Sequence, residues 1–246
     1  MPISRLCLNG MSSNIADTMK YTLLYLSGGS GTRMQNKVPK QYLMLGGKPV
    51  IMHILDRVEQ IECITDIVIV CAPEYEGYIQ SLLEQYGISK PVRFAPAGAT
   101  RQQSVSNGLS LIDSDDIILH ESARPFVKKE DFERLIAAPN RNATYGLAIP
   151  FSVVKGYTKY EEILDRSSLV NIQLPQKFET RLLKEAHRKA RLEGKEFTED
   201  GSMVFHYFPD TFMEICPGLD YDIKLTTNID MIAGEKIYDA VFERKQ

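Results

Sequence analysis

The chain is poor in cysteine and has no long hydrophobic run. Its 246 residues hold only Cys7, Cys63, Cys71 and Cys216, with no CxxC pair, and none stands at metal-finger spacing from His53, His120, His187 or His206. A zinc site and a disulfide scaffold are therefore not expected, and a reducing cytoplasm is the expected location. The longest stretch without a charge lies between Arg141 and Lys155 and is interrupted by Asn142, Gly146 and Pro150. It falls short of the ~20 apolar residues that a spanning helix needs. Neither sign of charge dominates: 29 Lys and Arg stand against 32 Asp and Glu, a formal net charge of −3, and 43% of residues are hydrophobic. That balance argues against a nucleic-acid coat, a disordered tail and a membrane protein. Residues 1–19 lack the apolar core of a signal peptide and are expected as a loose extension, with Met11 and Met19 as alternative starts. Residues 20–246 are expected to form one domain.

What is present is an alternation of short apolar strands and helices. The run YTLLYL from Tyr21 reads as a buried strand ending in a glycine-rich turn. Pro49 stands where a helix begins, and Val50, Ile51, Ile54, Leu55 and Val58 follow at helical spacing. Strands are expected over 66–71, 92–95, 117–120 and 144–149, and helices over 74–86, 101–111 and 128–138. Such alternation predicts an α/β fold, a single doubly wound, mostly parallel sheet covered on both faces. Regularity fails over 152–175, which reads as a protruding arm, because excursions above ~15 residues in compact domains are usually functional. A helical stripe resumes through Phe178, Leu182, Leu183, Ala186 and Ala190. A final helix over 228–242 is expected with Asn228 as its N-cap and Ile232, Ile237 and Val241 turned inward.

Ligands of an open parallel sheet bind at the carboxyl ends of its strands. The loop after the first strand carries Ser27, Gly28, Gly29, Gly31, Arg33, Lys40 and Gln41: glycines that let backbone N–H groups approach an anion, with two cations in reach. It is neither a Walker A loop, lacking GK[ST], nor a dinucleotide fingerprint, lacking the third glycine. The loop after the third strand holds Gly98, Thr100, Arg101 and Ser104, which read either as a base or phosphate contact or as an ordinary capped turn. After the fourth strand come Glu121 and Arg124, either a seat for Mg2+ with its phosphates or a structural ion pair. His120 reads as a packed strand-end residue.

Taken together, GGSGTRM…PKQ ending at Gln41, GATRQQSV from Gly98, HESARP from His120, LPQKF from Leu174, FTEDGS from Phe197 and DIKLTT from Asp222 resemble the cytidylyltransferases that activate polyol phosphates, the methylerythritol-phosphate and ribitol-phosphate types among them. The resemblance implies a Rossmann-like nucleotidyltransferase that moves CMP from CTP to a polyol phosphate with Mg2+. By the resemblance Ser27, Gly28, Gly29 and Gly31 wrap the CTP phosphates, and Arg33, Lys40 and Lys224 are catalytic. Gly98, Arg101 and Ser104 lie near the cytosine, Arg124 lines the triphosphate pocket, and Glu121 holds the metal. Arg166 and Leu174 face the acceptor. The arm over 152–175 would join two copies into a homodimer.

Several positions depart from the family pattern. Glu121 stands where Asp is common, Ala99 where an acidic residue is frequent, and Leu174 where Thr is usual. The segment from Phe151 to Lys155 lacks an Arg-Asp-Thr run. These departures leave the acceptor open between methylerythritol phosphate, ribitol phosphate and another polyol or sugar phosphate of envelope polysaccharides. A nucleotide-sugar-dependent glycosyltransferase, with Asp113-Ser-Asp115 or Asp220-Tyr-Asp222 as its DxD, is one competing reading. A non-catalytic nucleotide-binding relative, suggested by Glu121 and Ala99, is the other.

Overall fold

The structure, a computed structural model, describes residues 19–29 and 38–243. The strands are β1 (Tyr21–Leu26), β2 (Met44–Leu45), β3 (Lys48–Pro49), β4 (Ile64–Cys71), β5 (Val92–Pro96), β6 (Asp116–Glu121), β7 (Ala143–Ala148), β8 (Val153–Lys155), β9 (Glu162–Leu164), β10 (Val170–Glu179) and β11 (Glu214–Pro217). The helices are α1 (Val50–Glu59), α2 (Glu76–Gln85), α3 (Arg101–Leu109), α4 (Lys129–Ile136), α5 (Thr180–Glu193), α6 (Asp200–Tyr207) and α7 (Asn228–Tyr238). Seven strands form one sheet in the order β11-β7-β10-β6-β1-β4-β5. All its neighbours pair in parallel except β10, which runs antiparallel to both β6 and β7.

Because side chains alternate across a strand, each central strand feeds two cores. Leu23 and Tyr25 of β1, Ile67 and Ile69 of β4 and Ile118 of β6 meet α1, α2 and α4 on one face. Leu24, Val68, Val70, Ile117 and Leu119 meet α3, α5 and α6 on the other. Each fully buried Leu, Ile or Val contributes roughly 1.5–3 kcal/mol by leaving water, so both layers hold the central strands in register. The doubly wound arrangement expected from the alternation is what the chain adopts. No described helix is long and apolar enough to cross a membrane.

Several expectations need correction. Phe178 does not start a helix: it closes β10, a ten-residue strand that also takes in 170–175. Its alternation is hidden by Pro175, by a register shift between Gln173 and Gln176, and by polar residues at buried positions. What remains of the arm is the β8–β9 hairpin and a short turn of helix at Arg166–Ser168. The last helix is capped by Thr227, whose hydroxyl accepts the Asp230 N–H while Asp230 reaches back, so Asn228 is its first residue. Ile232 is 72% exposed rather than inward. Pro49 precedes the first residue of α1, and β11 and α6 were not expected at all. The N-terminal extension lies outside the described residues.

Candidate active site

Loop closure at the carboxyl ends of β1, β4 and β6 begins with the backbone. Ser27 N–H donates to Val70 O at 2.7 Å, and Ser122 N–H donates to Leu26 O at 2.9 Å. Gln41 is almost fully buried and its amide donates to Ser27 O (2.7 Å) and Gly29 O (3.1 Å), fixing the start of the glycine loop. Gly28 is required by contact: a Cβ there would lie 2.5 Å from the Ala97 Cβ on the loop after β5. On that loop Gly98 N–H donates to Ser104 Oγ at 2.9 Å, and the hydroxyl donates to Thr100 O at 3.0 Å. Thr100 caps α3 by accepting from Gln103 N–H.

The segment at 222–225 closes onto these loops. Leu225 N–H donates to Ala123 O at 2.8 Å, and the Lys40 amine donates to Leu225 O at 2.6 Å. This brings Lys40, Glu121, Arg124 and Lys224 to one place although they are spread over 185 positions. Lys224 Nζ lies 2.8 Å from one Glu121 oxygen and Arg124 Nε 3.1 Å from the other. Arg124 also donates through its other arm to Asp222 Oδ2 at 3.0 Å. Burial pushes the Glu121 carboxyl up, but Lys224 and Arg124 outweigh it and hold the group below its ordinary range. Asp222 goes the other way: burial pushes it up to about 7 against the pull of Arg124, and its Oδ1 has no partner. The structural Glu121–Arg124 pair is thus present, and it belongs to a larger network in which Lys224 and Asp222 complete the charges.

Arg101, expected near the cytosine, is held by a carboxylate. Its guanidinium lies 2.5 Å from Asp200 Oδ2, and His187 Nε2 is 3.0 Å from the other oxygen of that wholly buried carboxylate. Its charge still reaches Glu121. Burial pushes the Asp200 carboxyl up, and Arg101 with His187 reverses this and sets it below the ordinary value. His120 is buried, its Nε2 2.9 Å from Arg124 O, and burial lowers it to about 4; it is a packed strand-end residue. Leu174 is 7% exposed and packs into the apolar cluster under α5 and α6. Arg166 stands apart from the network, donating to Pro150 O at 2.7 Å within the arm. Gly31 and Arg33 lie outside the described residues. Gln41, Asp200 and Asp222 were not assigned from sequence, although PKQ, FTEDGS and DIKLTT contain them.

Residues 22–240 match the family described as IspD, 2-C-methyl-D-erythritol 4-phosphate cytidylyltransferase. Among similar proteins, the 2-C-methyl-D-erythritol 4-phosphate cytidylyltransferase of Geobacillus thermodenitrificans is 38% identical over 226 residues, covering 89% of this chain and 97% of its own. The chloroplastic enzyme of that name from Oryza sativa is 32% identical, covering 93% and 78%. The crystal structure of 4-diphosphocytidyl-2C-methyl-D-erythritol synthase from Anaerococcus prevotii superposes with a TM-score of 0.80 at 27% identity, covering 92% of this chain and 98% of that one. All three names carry the methylerythritol acceptor and none an envelope polysaccharide, so the latter expectation is withdrawn. A family match over most of the chain, with relatives above 30% identity, places the protein in the 2-C-methyl-D-erythritol 4-phosphate cytidylyltransferase family.

Proposed function

We propose that this chain transfers CMP from CTP to the phosphate of a polyol phosphate, 2-C-methyl-D-erythritol 4-phosphate foremost, and releases pyrophosphate. The observation that carries the reading is the convergence of Lys40, Arg124 and Lys224 at the strand ends beside a glycine loop. An acceptor phosphate oxygen attacks the α-phosphorus, a new P–O bond forms, and the bond to the pyrophosphate oxygen breaks. The acceptor's second pKa lies near 6, so it is largely dianionic at pH 7 and needs no base. This suits a site whose strand-end imidazole, His120, is buried, neutral and bonded to backbone. The chain's work is then to position two anions and to stabilise charge at the α-phosphate.

Lys40 and Lys224 supply compact ammonium donors, while Arg124 holds Glu121 and Asp222 in place. Among the described residues no group of three or more His, Cys, Asp or Glu is arranged for a metal. A single carboxylate fits Mg2+ nonetheless, because that ion is usually bound by one or two carboxylates with substrate phosphates and water. Glu121 would be the protein ligand, exchanging Lys224 for the ion, and Mg2+ when bound would neutralise triphosphate charge. Phe151, Tyr157, Tyr160 and Ile163 are exposed apolar residues on the arm that also carries Arg166, which supports a homodimer joined through it, and the free thiols of Cys63, Cys71 and Cys216 support a reducing cytoplasm.

Incubation with CTP, Mg2+ and separate polyol phosphates is expected to release pyrophosphate with the methylerythritol ester. No release with any acceptor, methylerythritol and ribitol phosphates included, despite CTP binding, would instead establish a nucleotide-binding relative. The network also sets a pH dependence. Four cations, Lys40, Arg101, Arg124 and Lys224, face three carboxylates, Glu121, Asp200 and Asp222. Below about 7 Asp222 is neutral and the pocket gains one net positive charge. The KM for CTP is therefore expected to rise as pH increases through 7, and Asp222→Asn is expected to flatten that rise. A variant whose KM profile matches the parent between pH 6 and 8 would show that another group controls it.

A further inference from the structure

Leu225 is where the last part of the chain meets the site, and its side chain and both backbone polar groups are engaged. The side chain is wholly buried in a cluster with Leu45, Val50 and Phe126. Its N–H donates to Ala123 O at 2.8 Å, and its carbonyl accepts from the Lys40 amine at 2.6 Å. A peptide bond holds the C=O of one residue and the N–H of the next in a single plane, so this carbonyl turns with the Thr226 N–H. That N–H donates to Asp230 Oδ2 at 2.7 Å. Lys40 and Asp230 therefore hold opposite ends of one rigid group. Ammonium, peptide and carboxylate form a relay of hydrogen bonds from the first turn of α7 into the site.

The contacts of Asp230 exceed what starting a helix requires. Its Oδ2 accepts from the Thr226 N–H, from the Thr226 hydroxyl at 2.6 Å and from the Thr227 N–H at 2.7 Å. The capping box of α7 uses only the last of these. The two from Thr226 fix the residue before the cap, directly after Leu225. Burial pushes the Asp230 carboxyl up, but the Thr226 and Thr227 donors reverse this and hold it below its ordinary range. A charged acceptor on the N–H polarises the peptide and strengthens its carbonyl toward an ammonium. The seat of α7 has other supports. Glu235 accepts from the Gly46 N–H at 3.1 Å, and a Cβ on Gly234 would come within 3.2 Å of the Leu225 and Phe126 side chains.

We infer that Asp230 is a positioning residue for the transfer step, acting through the Leu225–Thr226 peptide to aim the Lys40 ammonium. When the carboxylate is removed, the Thr226 N–H loses its acceptor and the peptide plane is free to turn. The Leu225 carbonyl then no longer fixes Lys40, whose flexible stem spreads the charge over more positions. Misplacing a catalytic group by about 1 Å can cost about 10²-fold in rate. Because Lys40 serves the transition state more than bound CTP, the loss falls on kcat. That effect on rate rests on the proposed function, whereas the relay itself does not.

The test measures pyrophosphate release with CTP and methylerythritol phosphate, and the NMR signal of the isotope-labelled Lys40 ammonium, on the full chain and its variants. Asp230→Ala is expected to lower kcat about 10–100-fold, with the KM for CTP within about threefold of the parent. Asp230→Asn keeps an accepting oxygen and is expected to recover most of the loss. Thr227→Ala removes the hydroxyl that accepts the Asp230 N–H at 3.2 Å. It weakens the same helix start while leaving the Leu225–Thr226 peptide as it is, so the melting temperature should fall and kcat should hold. In a Lys40→Ala background Asp230→Ala should cost less than about threefold, because residues that act through one another are not additive. The Lys40 ammonium should exchange slowly with water in the parent and fast in Asp230→Ala. That change, seen in a parent that turns over no acceptor, would refute the proposed reaction and uphold the relay. An ammonium signal indifferent to Asp230→Ala, full additivity with Lys40→Ala, or an equal loss of kcat in Thr227→Ala overturns the inference.

Discussion

Replacing Lys40 with alanine is expected to lower kcat about 10²–10³-fold, the scale on which one preorganised donor to developing charge acts, with only a small change in CTP affinity. The Lys40 amine lies 2.6 Å from Leu225 O, directly after Lys224 in the chain and across from Ala123, whose carbonyl accepts the Leu225 N–H. It is thereby placed among the three loops that meet at the strand ends rather than on the surface around them. Ground-state CTP carries its negative charge mostly on the outer phosphates, whereas the transition state gathers charge at the α-phosphorus and its leaving oxygen. An ammonium at Lys40 that acts there separates kcat from nucleotide binding. Lys40→Arg is not expected to restore the rate, because a planar fork does not replace a compact point charge. Pyrophosphate release and CTP binding measured on the same variant decide the matter. Equal losses in both would assign Lys40 to binding alone, and a large drop in melting temperature would assign the effect to the lost Leu225 contact.

The residues named from sequence and those revealed by the structure differ in kind. β1, β4 and β6 are apolar runs buried on both faces, so their own sequence declares them. β10 is illegible because its buried polar groups are satisfied by distant partners. Gln173 exchanges hydrogen bonds with the backbone of Leu219, Gln176 donates to Thr144 and Glu199, and Lys177 donates to the carbonyls of Ile136 and Ala138 near the end of α4. A local pattern cannot show that a lysine at 2% exposure has two carbonyls waiting for it. The same division runs through the site. The cations Lys40, Arg124 and Lys224 were legible because their segments are distinctive. Their counter-charges were not: Asp222 and Asp200 gain meaning only when the fold brings them against Arg124 and Arg101, 98 and 99 positions away in the chain. Arg101 shows the consequence, since a guanidinium expected near a base is anchored first by a carboxylate on α6.

That anchor leads to the largest stability effect expected here. Asp200→Ala should reduce the unfolding free energy by about 3 kcal/mol near neutral pH, the lower end of what removing one partner of a buried pair costs. The Asp200 side chain is wholly buried and accepts from Arg101 at 2.5 Å and His187 at 3.0 Å, so truncation strands two donors at once. Arg101 retains 28% side-chain exposure and can turn partly to water, which keeps the cost from the upper end of the range. Asp200→Asn keeps one accepting oxygen and should lose less. The pH dependence has a definite sign. Arg101 and His187 overcome the burial penalty and hold the folded-state carboxyl below 3.8, its ordinary value. The stabilisation is therefore fully present above 3.8 and disappears as pH falls below it through the folded value. Urea unfolding at pH 7 should show the full gap between parent and Asp200→Ala, and the gap should narrow only in stronger acid. A gap below about 1 kcal/mol at pH 7, the size of an exposed pair, would mean that water reaches Asp200 and that Arg101 is not fixed by it.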